Sequence, residues 1–137
     1  MSEENKALVR RFYEEVMNRG NMAVVDELSA PNIVDHNPMP GQAAGPEGFK
    51  QFVGMFRSAF PDLNVTADDV IAEGDKVVAR TTMRGTHRGE FMGIAPTNKQ
   101  VTVSGMDMVR IANGKAVEVW HIDDALGMMQ QLGAIPS

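Results

Sequence analysis

The spacing of apolar residues changes once along this chain, around Phe60-Pro61-Asp62, and that change limits the folds open to it. Upstream, Leu8, Val9, Phe12, Tyr13, Val16 and Met17 recur at three- and four-residue intervals, so Glu3 to Arg19 reads as an amphipathic helix stopped by Gly20. Asn21 offers a cap for a second helix that turns Val24, Val25 and Leu28 inward and ends before Pro31; Asn32 to Pro38 follows as a short extended segment. Gly45 and Pro46 open a third helix with Phe49, Phe52, Val53 and Phe56 on one stripe. Downstream, Asn64 to Ala72, Lys76 to Thr86, Lys99 to Ile111 and Lys115 to Ile122 are rich in β-branched residues. They are divided by Glu73-Gly74-Asp75, a longer Gly/Pro-containing loop and Asn113-Gly114, the pattern of an antiparallel meander. A last short helix starts near Asp123 or Asp124 and closes at Gly133. Helices followed by a meander define an α+β fold in which a curved antiparallel sheet covers the helices and keeps a concave face.

The 137 residues suit one domain spanning 1–137 with a core of its own. The absence of cysteine removes disulfides, thiolate metal sites and thiol nucleophiles, and fits a reducing cytoplasm. The N-terminal MSEENKALVR lacks the apolar core of a signal peptide and no apolar run approaches membrane-spanning length, so the expectation is a cytoplasmic protein without membrane contact. Lys and Arg total 13 against 18 Asp and Glu, a formal charge of -5 with no basic stripe, which disfavours nucleic acid and favours a small apolar or aromatic ligand. Three histidines without metal-ligand spacing, and no phosphate loop or dinucleotide fingerprint, lead us to expect neither metal nor cofactor.

Several blocks carry a family resemblance: VDHNP at Val34 to Pro38, AFPDL at Ala59 to Leu63, EGDKVVAR at Glu73 to Arg80, and GTHRGEFMGIAPTNKQV at Gly85 to Val101. They continue with GMDMVRIANGKAVEVW at Gly105 to Trp120 and DALGMMQQLG at Asp124 to Gly133. In combination they resemble the SnoaL-like polyketide cyclases of the nuclear-transport-factor-2-like superfamily, over nearly the whole chain. The resemblance implies a cone-shaped α+β barrel with a pocket, assembled as a homodimer or homotetramer. It also implies aldol cyclisation of polyketide esters without metal or organic cofactor, although the fold locates a site better than it fixes a reaction. Such proteins commonly carry their acid/base aspartate after the tryptophan of an E-H-W-D motif. Here the stretch is Glu118-Val119-Trp120-His121, so His121 takes the aspartate's place, and Asp107 corresponds to the polar partner on the preceding strand.

Whether His121 and Asp107 meet depends on the hairpin between them. A three-residue loop Ala112-Asn113-Gly114, with Gly114 left-handed, sets Asp107 opposite Val119 and Gly105 opposite His121, making Asp107 and His121 diagonal neighbours on one face. Gly105 then leaves room in front of His121. A two-residue Asn-Gly turn shifts the pairing by one and sends the two side chains to opposite faces. In the first register Asp107 orients the imidazole and His121 exchanges a proton beside a substrate carbonyl. With equal weight, the pair is a structural hydrogen bond in a partly polar core.

The remaining candidates are ligand-binding. Val119 shares the face of His121, Phe52 and Phe56 supply an aromatic wall, and His36 on the VDHNP segment reaches for the pocket mouth or belongs to a His-Asn-Pro turn. His87 reads as solvent-facing or loop-anchoring, and Asp123 and Asp124 read as caps of the last helix. Three functions stay open: an acid/base cyclase or isomerase, a non-catalytic ligand binder, and a dimerising accessory domain.

Overall fold

The structure, a computed structural model, describes residues 2–136. Helix α1 (Ser2–Arg11) runs directly into a π-helical segment, Phe12–Met17, within the span expected to be one helix. The widened turn is marked by Asn18, whose N–H donates to the Tyr13 carbonyl five residues back at 2.9 Å. The Asn18 side chain then takes both backbone groups of Val65, at 2.9 and 2.7 Å, so the helix end is tied to the sheet. Helix α2 (Ala23–Leu28) has no side-chain cap; Asn21 contributes its backbone carbonyl, 3.2 Å from the Val24 N–H, instead of the expected side chain.

Strand β1 (Ser29–Asp35) begins earlier than the extended segment expected over Asn32 to Pro38. Proline is tolerated because β1 is an edge strand, where a missing N–H costs no ladder bond. Helix α3 (Pro46–Ala59) starts at Gly45, whose φ of 71° only glycine adopts without strain. The meander comprises β2 (Asn64–Glu73), β3 (Lys76–Thr86), β4 (Gln100–Ala112) and β5 (Lys115–Asp123), and α4 (Ala125–Leu132) closes at left-handed Gly133.

The sheet order is β1-β5-β4-β3-β2, with β1 parallel to β5 and every other pair antiparallel. The curved sheet stays open, with β1 and β2 as its edges. Val16, Val25, Val53, Phe60 and Val77 are fully enclosed between the helices and the concave face, each worth about 1.5–3 kcal/mol of apolar transfer. No helix among the described residues is long and apolar enough to cross a membrane.

His87 is buried, not solvent-facing, and it anchors the loop after β3. Its backbone pairs with Lys99 and Asn98 at 2.9 Å each, and its Nδ1 accepts the Thr97 N–H at 3.2 Å. That loop is also pinned to the end of α3 by the Arg88 and Gly89 amides on the Ala59 carbonyl, which brings Phe91 into the core beside Phe56 and Phe60.

Candidate active site

The hairpin joining β4 to β5 decides what faces the concave side. The turn has two residues, with Asn113 at φ 53° and Gly114 at φ 74°, the signature of a type I′ turn. This corrects the three-residue loop expected from the sequence. A two-residue turn alone would have turned Asp107 and His121 to opposite faces, but Val117 is an extra residue between the Ile111–Ala116 and Arg110–Glu118 pairs. That bulge shifts the register once more and restores the parity. Asp107 therefore stands directly opposite His121, not diagonal to it, and Gly105 lies opposite Asp123.

Three cross-strand rows result on the concave face. Thr81, Gly105 and Asp123 form the row nearest the end of β5; Ala79, Asp107 and His121 form the next; Val77, Val109, Val119 and Asp35 form the third. The rows open onto a cavity of about 320 Å³ whose remaining wall is largely apolar, including Phe12, Phe52, Phe56 and Met128.

His121 is oriented by Asp35, and not by Asp107 as the sequence led us to expect. Its Nε2–H donates to the Asp35 carboxylate, 2.9 Å from Oδ1 and 3.1 Å from Oδ2. The two side chains are only 14% and 7% exposed. The VDHNP segment braces this pair: Asn37 accepts the His121 N–H at 2.9 Å through its side chain and donates its own N–H to Asp35, also at 2.9 Å. Gln42 donates to the second Asp35 oxygen at 2.9 Å, tying the 39–45 loop to the dyad. Burial opposes the charge on Asp35, yet these three hydrogen bonds hold its pKa below the usual carboxylate range. Burial likewise works against the imidazolium, but the hydrogen bond and negative charge of Asp35, with the charges of Asp107 and Asp123, raise its pKa above the ordinary value. With Nε2 committed to Asp35, Nδ1 is the atom left for a ligand.

Asp107 receives the hydroxyl hydrogen of Tyr13, a residue delivered by the π-helical segment. Burial pushes the Asp107 carboxyl up to about 6, against the lowering effect of the Tyr13 hydrogen bond. The Tyr13 hydroxyl is itself pushed up, by burial and then by the Asp107 charge.

Of the other candidates, Val119, Phe52 and Phe56 line the cavity, and the Phe52 ring lies 5.7 Å from the His121 ring at 64°. His36 lies off the cavity lining. It stacks on Trp120 at 4.6 Å and 7° and shares a 2.7 Å contact with Glu118 on the outer face. Gly105 gives its room to Asp123 and not to His121, because a Cβ there would collide with the Asp123 carboxylate. Only Asp124 caps α4, through the Gly127 N–H at 2.9 Å, while Asp123 faces the cavity. Sequence reasoning missed Asp35, Tyr13 and Asp123 as cavity residues. Tyr13 was detectable as the one hydroxyl in an otherwise apolar helical stripe.

Comparison with known proteins agrees with this fold. The family described as SnoaL-like polyketide cyclase matches residues 7–132. The nogalonic acid methyl ester cyclase of Streptomyces nogalater is 30% identical over 118 residues, covering 85% of this chain and 88% of its own. Among solved structures, TsrD from Streptomyces laurentii superimposes with a TM-score of 0.89 at 31% identity, covering 97% of each chain. IdmH from Streptomyces antibioticus gives 0.83 at 34% identity, covering 94% of this chain and 98% of its own. With the family match running over residues 7–132 and the fold shared with solved relatives, this chain belongs to the SnoaL-like polyketide cyclase family.

Proposed function

We propose that this protein catalyses cofactor-independent carbon–carbon bond formation, an intramolecular aldol cyclisation, on an aromatic polyketide ester or a related carbonyl compound. The observation that carries the reading is the placement of a carboxylic and an imidazole proton carrier, Asp107 and the Asp35-held His121, face to face at the polar end of one apolar cavity. Groups whose environments set them in different protonation states divide the acid and base roles between them. With its carboxyl near 6, Asp107 can serve as the base around neutral pH, while the Asp35 hydrogen bond and the surrounding carboxylates raise the His121 pKa and so favour the imidazolium as the acid. Asp107 takes the proton from the carbon next to a carbonyl, and the resulting enolate attacks a second carbonyl carbon of the same molecule. The C–C bond forms as that C=O bond becomes an alkoxide, which takes the Nδ1 proton of His121. Exchange with water at the mouth returns the two residues to their starting states. The substrate class follows from the relative named for nogalonic acid methyl ester and from the aromatic lining of Phe12, Phe52 and Phe56.

The test is turnover of an aromatic polyketide methyl ester bearing a pendant ketone, followed by chromatography. Asp107→Asn and His121→Gln should each reduce kcat by about 100-fold or more. Parent-like turnover in either variant overturns the assignment.

A second reading, a non-catalytic binder, is favoured by His121 standing where the family resemblance expects an aspartate. It predicts ligand affinity without any turnover by the parent chain. Under either reading we place the protein in the cytoplasm as a homodimer or homotetramer. The exposed Val34, Met106 and Ile122 of the outer sheet face support self-association, which light scattering checks.

A further inference from the structure

The first cross-strand row is built differently from the other two. Gly105 has an ordinary backbone φ, so the residue is not there for conformational freedom; what its position lacks is space, since any Cβ would strike the Asp123 carboxylate and crowd the Thr81 hydroxyl at 3.0 Å. Glycine thus lets the Asp123 carboxylate lie over β4 at the cavity mouth, where it lines the wall and still meets water. Thr81 faces Gly105 from β3 and is 6% exposed. Its hydroxyl makes no hydrogen bond to another described residue and borders the cavity. The Asp123 carboxylate likewise has no protein donor among the described residues, although it lines the same wall. A few convergent polar groups at the end of an apolar cavity orient what binds there, and a hydroxyl and a carboxylate without protein partners are free to bond a ligand.

We propose that Thr81 and Asp123, seated over Gly105, form a recognition subsite for a hydroxyl group of the ligand, phenolic or enolic, adjacent to the proton-transfer residues. The inference rests on the cavity being the site for an aromatic carbonyl compound. A carboxylate only accepts, whereas a threonine hydroxyl also donates. A ligand hydroxyl satisfies both at once, donating its hydrogen to Asp123 and accepting one from Thr81. A methyl ether has no hydrogen to give and displaces water from the carboxylate without replacing it as a donor, which selects against it. The subsite therefore sets which oxygen of a polyhydroxylated aromatic lies beside Asp107 and His121, and acts through positioning without taking part in bond making.

The experiment compares a hydroxynaphthyl methyl ketone with its methyl ether, each titrated against the full chain by fluorescence. The parent should bind the hydroxy ketone at least about tenfold more tightly. Asp123→Ala and Thr81→Val should each bring the two affinities to within about twofold, with the methyl ether bound no more weakly than before. Gly105→Ala should do the same by displacing the Asp123 carboxylate while removing no polar group, so it separates placement from chemistry. Equal or absent binding of the two ketones by the parent, or a preference that survives Asp123→Ala, overturns the subsite. His121→Gln keeps this result apart from the acid/base reading: parent-like turnover in that variant sinks the proton-transfer assignment, while the hydroxy-to-methoxy ratio alone judges Thr81 and Asp123.

Discussion

His121 and Asp35 meet across the parallel edge of the sheet, Nε2 lying 2.9 Å from one carboxylate oxygen and 3.1 Å from the other. The contact orients the ring and supplies a negative charge that raises the imidazole pKa. Asp35→Asn should lower the pKa of His121 toward its ordinary value, measured by titrating the ring protons in NMR spectra. Parent-like titration in the variant removes Asp35 from this role.

The same pair makes stability depend on pH. The His121 pKa is raised on folding, so its contribution is complete below the unfolded value near 6.5 and is lost as pH rises through the folded value. The Asp35 pKa is depressed, so its contribution is present above about 3.8 and is lost as pH falls through the folded value. Asp35→Asn should therefore cost about 1–3 kcal/mol between these limits and less at pH 9, as read from urea denaturation.

Asp107 behaves in the opposite sense to Asp35. Its carboxyl is pushed up to about 6, so stability linked to it is present below 3.8 and declines as pH rises toward 6. Asp107→Asn should raise the melting temperature at pH 8, by an amount corresponding to about 2 kcal/mol, and change little at pH 4. An isosteric amide that destabilises the chain at pH 8 contradicts the account of Asp107 as a desolvated carboxylate.

Tyr13 supports the ionised form of Asp107, because its hydroxyl donates only to a free acceptor. Removing that hydroxyl in Tyr13→Phe should move the acidic limb of the kcat profile upward from about 6, with a stability loss of about 1 kcal/mol. The shift in the limb separates a positioning role from a packing role, since the ring itself is kept.

His36 tests the opposite expectation. It lies outside the cavity lining and stacks on the lone tryptophan, Trp120. His36→Ala should change the intrinsic fluorescence while leaving turnover within about twofold, the scale expected of a substitution away from the site.

Much of the fold was legible because periodicity and turn residues act locally: all four meander strands, α3 and α4 fall close to where their spacing places them. Two features of the site were not. The Val117 bulge carries no compositional mark, so the register between Asp107 and His121 followed from the sequence only in parity and not in pairing. The parallel union of β1 with β5 joins segments with no shared pattern, and it alone brings Asp35 to His121. Asp123 was hidden for a different reason. Two adjacent aspartates before a helix look alike as caps, and only the empty Cβ position of Gly105 tells them apart.

The parallel β1–β5 edge also governs when this site comes into existence. Strands β2 to β5 zip by neighbouring hairpins, whereas β1 waits for the last strand to be made, because Asp35 and His121 are separated by 86 residues. During synthesis the chain passes most of its length with a charged aspartate on an unmatched edge and no imidazole to meet it. The Asp35–His121 contact is consequently formed late, and a chain cut short before β5 lacks it.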